Sequence, residues 1–527
     1  MIKEKTISGS SYIGGVWLKP TGELFSSINP VTDESIGRFY TSEDKEIELA
    51  MHKAQDAFET YRNLSGKEIA QFLYAIADEI EALGDTLLEV GHRESGLGIP
   101  RLTGERGRTC GQIRAFASIA ATGQWTQPSI DTAIPDRQPV PKPDIRRMMR
   151  PIGPVVVFGA SNFPFAFGSL GGDTASALAA GNPVVVKGHP SHPETSELFA
   201  QAVETAASKT NMPKGVFSLL QGVGNDLGAK LVKHPLTQAV GFTGSFKGGK
   251  ALMDIAASRP DPIPVYAEMG SINPVFIGKK ALENKKEELI AGLSTSVCLG
   301  VGQFCTNPGL IVTTIDEEFI NGLASQLNDN SRGVMLNKGI LSSYYHGLVR
   351  LKNNPNVEWV NEAEWNENEK TPPNALFKTT IDHFINDKSL HEEIFGPVTL
   401  VVEVTCDKDM LRLAKHLEGQ LTATIHSDGD DELTSQLINI LELKVGRIIF
   451  NGYPTGVDVN PSMQHGGPYP ASSIGWATSV GGEAIVRFAR FVAYQNIPDK
   501  LLPDILKNEN PLQLYRKLNG EYSDKVI

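Results

Sequence analysis

Two uninterrupted apolar runs constrain this chain more than any other feature. Pro154-Val155-Val156-Val157-Phe158-Gly159 and Pro183-Val184-Val185-Val186-Lys187 are separated by an alanine-rich stretch that reaches Ala180. A strand with one face in water alternates polar and apolar residues. A run without that alternation has both faces covered, and such strands joined through helices form parallel sheets. The pattern returns at Val216-Phe217-Ser218-Leu219-Leu220 and at Thr237-Gln238-Ala239-Val240-Gly241-Phe242. The chain is therefore expected to be α/β, built on a doubly wound parallel nucleotide-binding domain.

At 527 residues the chain exceeds what one core supports, since single cores stop growing at about 250–300 residues. The expected division assigns 1–126 and 148–267 to a discontinuous dinucleotide-binding domain and 268–478 to a second α/β domain that carries the catalysis. Residues 127–147 and 479–498 form a small arm, and 499–527 a polar, proline-punctuated C-terminal extension on the surface. Residues 44–93 and 104–122 carry apolar positions three and four apart, as in Ile69-Ala70-Gln71-Phe72-Leu73-Tyr74-Ala75-Ile76, and read as amphipathic helices. Between Thr126 and Pro143 five prolines interrupt any period, which marks a linker or an extended arm.

A formal net charge of −12 argues against non-specific nucleic-acid binding, which needs a basic surface. Met1 to Ser8 has no following apolar run of the signal-peptide kind, and nowhere are there roughly 18 consecutive apolar residues. No membrane partner and a cytoplasmic location are expected. Four scattered cysteines, Cys110, Cys298, Cys305 and Cys406, fit neither a disulfide framework nor a zinc cluster, so no metal is expected.

Four motifs carry chemistry. In Gly302-Gln303-Phe304-Cys305-Thr306 a cysteine sits at a glycine-flanked turn, where an exposed sulfur near backbone N–H groups favours the thiolate. The same pattern fits a packed thiol. In Tyr266-Ala267-Glu268-Met269-Gly270-Ser271-Ile272-Asn273-Pro274 an apolar setting would raise the Glu268 carboxyl towards neutrality, as suits a general base, unless the glutamate is a cap or salt-bridged. Asn162, in Ala160-Ser161-Asn162-Phe163-Pro164 after the first strand, borders the crevice where parallel sheets bind ligands and can donate to an oxyanion, or is a turn residue. Finally Val240-Gly241-Phe242-Thr243-Gly244-Ser245 leads from a strand into a helix start that can hold a pyrophosphate, with a companion at Gly222 to Gly228. Neither spacing is the Gly-x-Gly-x-x-Gly fingerprint.

Together and in this order, the four motifs resemble the aldehyde dehydrogenase superfamily from about residue 10 to about 498. The resemblance makes Cys305 the nucleophile, Glu268 the base and Asn162 the oxyanion donor. It makes Lys187, His189, Gly224, Gly228, Gly244, Ser245, Glu393 and Phe395 the cofactor contacts. Glu393 is the ribose carboxylate, and Phe395 is the ring beside a nicotinamide, in His391-Glu392-Glu393-Ile394-Phe395-Gly396-Pro397-Val398. Asn451 and Pro454 resemble the turn at the family's substrate mouth. The proline-rich segment and Ala484 to Ala493 match the family's oligomer contacts, which implies a homodimer or homotetramer.

Phe158 to Pro164, Gly171 to Leu178 and His465-Gly466-Gly467-Pro468-Tyr469-Pro470-Ala471 look like the α-ketoglutaric semialdehyde (2,5-dioxovalerate) dehydrogenase branch. An NADP-dependent fatty-aldehyde branch shares parts of these segments. The chain departs from the family at Ala160 and Ser161, where a bulkier residue is usual. It departs again at Gly171-Gly172-Asp173, which lacks a lysine often found there. In NAD-preferring relatives a glutamate takes the place of Pro190, so Lys187 with His189 implies that NADP is accepted and preferred over NAD. For a small aldehyde with its own carboxylate, Arg106, Arg108 and Arg114 are the candidate cations. Arg108 leads because a guanidinium binds a carboxylate through two parallel hydrogen bonds, and Phe167 lines the same region. Two alternatives stay open, a fatty-aldehyde enzyme with an apolar tunnel and a non-catalytic protein that keeps the fold.

Overall fold

The computed structural model describes residues 7–362, 365–366, 369–429 and 431–527. Residues 1–6, on which the reading of the N-terminus mostly rests, lie outside the described residues.

The expected helices form over Asp44–Tyr61, Gly66–Ala82, Gly84–Ser95 and Ile99–Thr122. Ser65 starts the second by a capping box, its Oγ accepting from Glu68 N at 3.2 Å while Glu68 Oε2 accepts from Ser65 N at 2.7 Å. Its buried stripe, Ile69, Phe72, Leu73, Ile76 and Ile80, follows the three-and-four spacing.

The apolar runs become central strands. In space the first sheet runs Val265–Glu268, Ala239–Thr243, Val155–Phe158, Val184–Lys187, Phe217–Leu220, and these five are parallel. A hairpin, Ser11–Ile13 with Val16–Leu18, adds an antiparallel edge that composition did not announce. Numbered by sequence, the five parallel strands stand 5-4-1-2-3, so the order reverses between Val155–Phe158 and Ala239–Thr243. Ligands of doubly wound sheets bind at the carboxyl ends beside that reversal. There the chain places Gly159 to Pro164 and Gly244-Ser245.

The second sheet runs Glu358–Trp359, Ala375–Thr380, Val398–Val404, Leu310–Thr314, Val275–Ile277, Gln420–His426, Val445–Phe450, parallel except at the first pair. Glu268 ends the edge strand of the first sheet and bridges to Ser472, while Met269 N donates to Ala471 O at 2.8 Å. The carboxylate therefore stands where the chain passes from one sheet to the other.

A third sheet corrects one expectation. Ser129–Asp131, inside the proline-rich segment, pairs with Ile145–Pro151 and with Arg516–Leu518 from the C-terminal extension. The segment is thus an arm held in a sheet. The extension lies largely exposed on the surface, as expected, but is fastened there: Leu502 and Leu506 are buried with Ile130 and Met148, and Arg516 is 1% exposed. Three-residue strands are too short to show a period of two, which hid them. The run Ala484 to Ala493 also divides. Ala484, Ile485 and Phe488 are buried in the first core, and Ala489–Gln495 forms an edge strand of the third sheet.

Candidate active site

Cys305 follows the helix Lys279–Cys298 and a tight turn in which Gly300, Val301 and Gly302 all have φ near +60°. Valine is β-branched and rarely adopts that conformation, so Val301 holds backbone strain of about 1–3 kcal/mol in the turn before Cys305. Gly302 is required sterically, because a Cβ there would run into the Gly396 backbone. Asn273 Nδ2 donates to Cys305 O at 2.9 Å and fixes the far side of the turn.

Three reactive atoms meet here. Cys305 Sγ lies 3.3 Å from His465 Nε2, which lies 3.0 Å from Glu268 Oε1. Ser479 Oγ donates to the other carboxylate oxygen, Oε2. Glu268 is 4% exposed and His465 1%. Burial alone would push the Glu268 carboxyl up, but the His465 imidazole and the hydroxyl of Ser479 outweigh it and hold it below the usual range. That reverses the expectation of a carboxyl raised towards neutrality, which took no account of the distant partners. Cys305 is reversed too. Burial, then the Glu268 and Glu393 carboxylates, push the thiol well above its usual range, against a smaller pull from Arg108. The glycine turn does not by itself make a thiolate.

Asn162 is 8% exposed and its Nδ2 donates to Gln303 O at 3.2 Å, which brings the amide alongside the cysteine loop. The Cys305 N–H has no backbone hydrogen bond among the described residues. The second Nδ2 hydrogen of Asn162 and the Cys305 N–H remain to donate to an oxyanion.

The arginines separate cleanly. Arg114 is held by Glu81 and Asp78 in the open, and Arg106 donates to Gly84 O at 2.8 Å. Arg108 donates from Nη1 to Val457 O at 2.7 Å, while its Nε and Nη2 are buried without a hydrogen-bond partner among the described residues. Glu105 does not claim them, since its Oε1 accepts from Phe165 N and Ala166 N. Arg108 lies over Phe163 and Phe167, 5.9 and 5.7 Å from the ring centres. Arg101, seven residues earlier on the same helix face, lies over Phe163 and Phe304 and leaves Nη1 unpartnered. Arg101, Glu105, Arg108, Phe163, Leu299 and Phe304 line a cavity of about 280 Å³.

The cofactor candidates stand at the carboxyl ends of the first sheet. Lys187 ends its strand 9% exposed, faces no carboxylate within ion-pair distance among the described residues, and is pushed down to about 8 by burial. Ser245 caps the helix Phe246–Ala257, its Oγ accepting from Gly248 N at 3.2 Å, and Gly244 N donates to Glu268 O at 3.1 Å. A Cβ on Gly224 would meet open space, whereas one on Gly228 would press on the Phe158 ring. His189 stacks on His192 at 5.2 Å and is held well below its usual range by burial, then by His192 and Lys187, so it is neutral. Burial, with Glu268 nearby, pushes Glu393 up to about 8, and it lines a small cavity with Ser271, Asn307 and Phe395. An uncompensated buried lysine, an open helix start and an underused carboxyl fit the phosphate and ribose groups of a dinucleotide.

Sequence reading missed His465, although it stood inside a quoted segment, because nothing local ties a histidine to a cysteine 160 residues away. Arg101 left a usable signal, its spacing of seven from Arg108. Ser479 and Asn273 left none.

A doubly wound sheet, a second parallel sheet, and a half-buried cysteine beside a buried carboxylate and amide at their junction are the frame of a dinucleotide-using oxidoreductase. The chain belongs to the aldehyde dehydrogenase family, whose sequence profile matches residues 17–492. It is an aldehyde dehydrogenase, which oxidises an aldehyde to the acid. It is 46% identical to α-ketoglutaric semialdehyde dehydrogenase 2 of Azospirillum brasilense over 98% of this chain and 99% of that one. It is 41% identical to the α-ketoglutaric semialdehyde dehydrogenase of Acinetobacter baylyi over 97% and 98%. The NAD+ complex of the Bacillus cereus aldehyde dehydrogenase shares the fold at a TM-score of 0.78 and 21% identity, over 92% and 96%. No helix among the described residues is long and apolar enough to cross a membrane.

Proposed function

We propose that the protein oxidises α-ketoglutaric semialdehyde to 2-oxoglutarate, with Arg108 holding the substrate's carboxylate. The observation that carries this reading is the pair of buried Arg108 donors, without partners among the described residues, beside a cavity also lined by Phe304, the neighbour of Cys305. An unsatisfied buried guanidinium N–H is costly, and a carboxylate accepting both donors removes the cost. The names of the two relatives point to the same substrate.

Cys305 Sγ gives its proton to His465 Nε2 and bonds to the aldehyde carbon. The Asn162 amide and the Cys305 N–H hold the oxyanion, one such donor contributing about 3–4 kcal/mol in the transition state. Lys187, Gly224, Gly228, Gly244, Ser245, Glu393 and Phe395 would hold a nicotinamide dinucleotide, which would supply the two-electron oxidant. Oxidation leaves a thioester on Cys305. Glu268, kept ionised by His465 and Ser479, takes a proton from the water that hydrolyses it.

NADP is accepted in preference to NAD, because Pro190 offers no carboxylate against a 2′-phosphate and Lys187 offers a cation. With His189 neutral, that attraction falls on Lys187 alone. The exposed edge strand Ala489–Gln495, with Phe491 39% exposed, serves a homodimer or homotetramer.

The test is kcat/KM for α-ketoglutaric semialdehyde, for an uncharged aldehyde of equal length and for a long-chain aldehyde, in wild type and Arg108→Ala. A hydrogen bond to a charged group contributes about 1.5–3 kcal/mol, so the variant should lose roughly 10- to 100-fold on the first substrate and little on the others. Equal losses on all three, or a wild-type preference for the long chain, defeat the reading.

A further inference from the structure

We infer that Cys305, His465 and Glu268 form a ready-made binding site for a thiophilic divalent cation of the Zn2+ type, and that its occupation reversibly shuts the enzyme down. The cation's binding rests on geometry alone, and the loss of turnover rests on the reading of Cys305 as nucleophile.

The three ligand atoms, Sγ, Nε2 and a carboxylate oxygen, all lie within 4.8 Å of one another. They are a sulfur, an imidazole nitrogen and a carboxylate oxygen, the donor types that zinc selects. Zinc bond lengths set tetrahedral edges of about 3.6 Å for S···N and about 3.4 Å for N···O. The observed separations are 3.3 and 3.0 Å, so each edge opens by only about 0.3–0.4 Å to admit the ion. Three protein ligands leave a fourth position for water.

The ligands are held from outside. Ser479 Oγ fixes the Glu268 oxygen that does not face His465, and Asn273 fixes the Cys305 carbonyl. Thr478 Oγ1 accepts from His465 N at 2.8 Å. His465 Nε2 lies between the Glu268 carboxylate and the Cys305 sulfur while its Nδ1 has no partner among the described residues, so a cation can take the place of the Nε2 proton as that proton passes to Nδ1. A carboxylate and a thiolate carry two negative charges, which the dication neutralises. Binding breaks the S–H bond, and the displaced proton leaves to solvent. No electrons move. A bound cation occupies the sulfur that must attack the aldehyde, so inhibition competes with aldehyde.

The experiment uses the purified full chain after chelator washing. Co2+ is titrated in and its near-ultraviolet thiolate-to-cobalt band recorded, and then Zn2+ is titrated against both the band and aldehyde turnover. We expect one Co2+ per chain with a thiolate band that Zn2+ abolishes. We also expect turnover lost in step and restored by chelator, and inhibition competitive with aldehyde. Cys305→Ser should lack the band, and His465→Gln and Glu268→Gln should weaken binding more than about tenfold. Cys406→Ser, at the exposed cysteine, should bind as wild type, and unfolding midpoints confirm that the variants are folded. Cobalt bound without a thiolate band, or undiminished affinity in both His465→Gln and Glu268→Gln, overturns the site. A band that survives with full turnover overturns inhibition and with it the role of Cys305. Loss of turnover in Cys305→Ser with no cobalt band in wild type leaves that role standing and removes the metal.

Discussion

Cys305 Sγ stands 3.3 Å from His465 Nε2, the side chain that links the thiol to the Glu268 carboxylate. The contact matters because burial and two carboxylates push the thiol well above its usual range, so Cys305, as the proposed nucleophile, needs a base within reach. His465→Gln should therefore lower kcat/KM by about 10²–10⁴, the span of a lost general base. Alkylation of Cys305 by iodoacetamide, followed by mass spectrometry, should slow in the same variant. Unchanged alkylation alongside reduced turnover would assign His465 to later steps only.

Lys187, read as the partner of a 2′-phosphate, gives a pH signature that separates NADP+ from NAD+. Burial lowers its ammonium to about 8, so the charge is present below that pH and lost as pH rises through it. The free enzyme's kcat/KM for NADP+ should fall above pH 8, while that for NAD+, which has no 2′-phosphate, should fall less. Lys187→Gln should remove the difference and lower the NADP+ value roughly tenfold or more, as loss of a charge-assisted hydrogen bond implies. Parallel pH profiles for the two cofactors in wild type would exclude this role.

The parts of the molecule legible in the sequence are those whose signal is local. Val155 to Val157 and Val184 to Val186 could be read as buried parallel strands because burial on both faces leaves no polar position to confuse the period. Ile69 to Ile80 was legible because its stripe spans several turns. The chemistry of the site was not local. Glu268 looked like a raised carboxyl because its neighbours are apolar, and only the fold brings His465 and Ser479 to its oxygens. Arg108 could be ranked above Arg106 and Arg114 by chemistry, but the separation came from partners: acidic residues 33 and 36 positions earlier bind Arg114, and none binds Arg108.

Asp173, which stands where the family often has a lysine nearby, has a structural partner. Its Oδ1 accepts from Arg487 Nη2 at 2.7 Å, with 8% of Asp173 and 2% of Arg487 exposed. The pair fastens the helix Gly172–Ala179 to the turn Gly482–Phe488. Removing one partner of a buried pair strands the other charge and costs about 3–5 kcal/mol. Arg487→Met should lower the denaturation midpoint accordingly, and Asp173→Asn added to it should recover much of the loss. Additive losses in the double variant would show that the two residues act independently.

The C-terminal extension makes the sharpest stability test, because the two views of it differ in magnitude. As a surface tail, a substitution within it would fall inside about 0.5 kcal/mol. In the fold, Leu506 is fully buried against Ile130, Met148 and Leu502, and Arg146 reaches the same segment, donating to Leu506 O at 2.6 Å and to Asn508 Oδ1 at 2.8 Å. Leu506→Ala opens a cavity in that small core and should cost about 2–5 kcal/mol. Small cores relax readily, which favours the lower end. The loss should appear as faster hydrogen exchange in Ser129–Asp131 and Arg516–Leu518 while exchange in Val155–Phe158 stays slow, since the two cores share no element. Uniform acceleration across both sheets would mean that the arm and the nucleotide-binding core unfold as one unit.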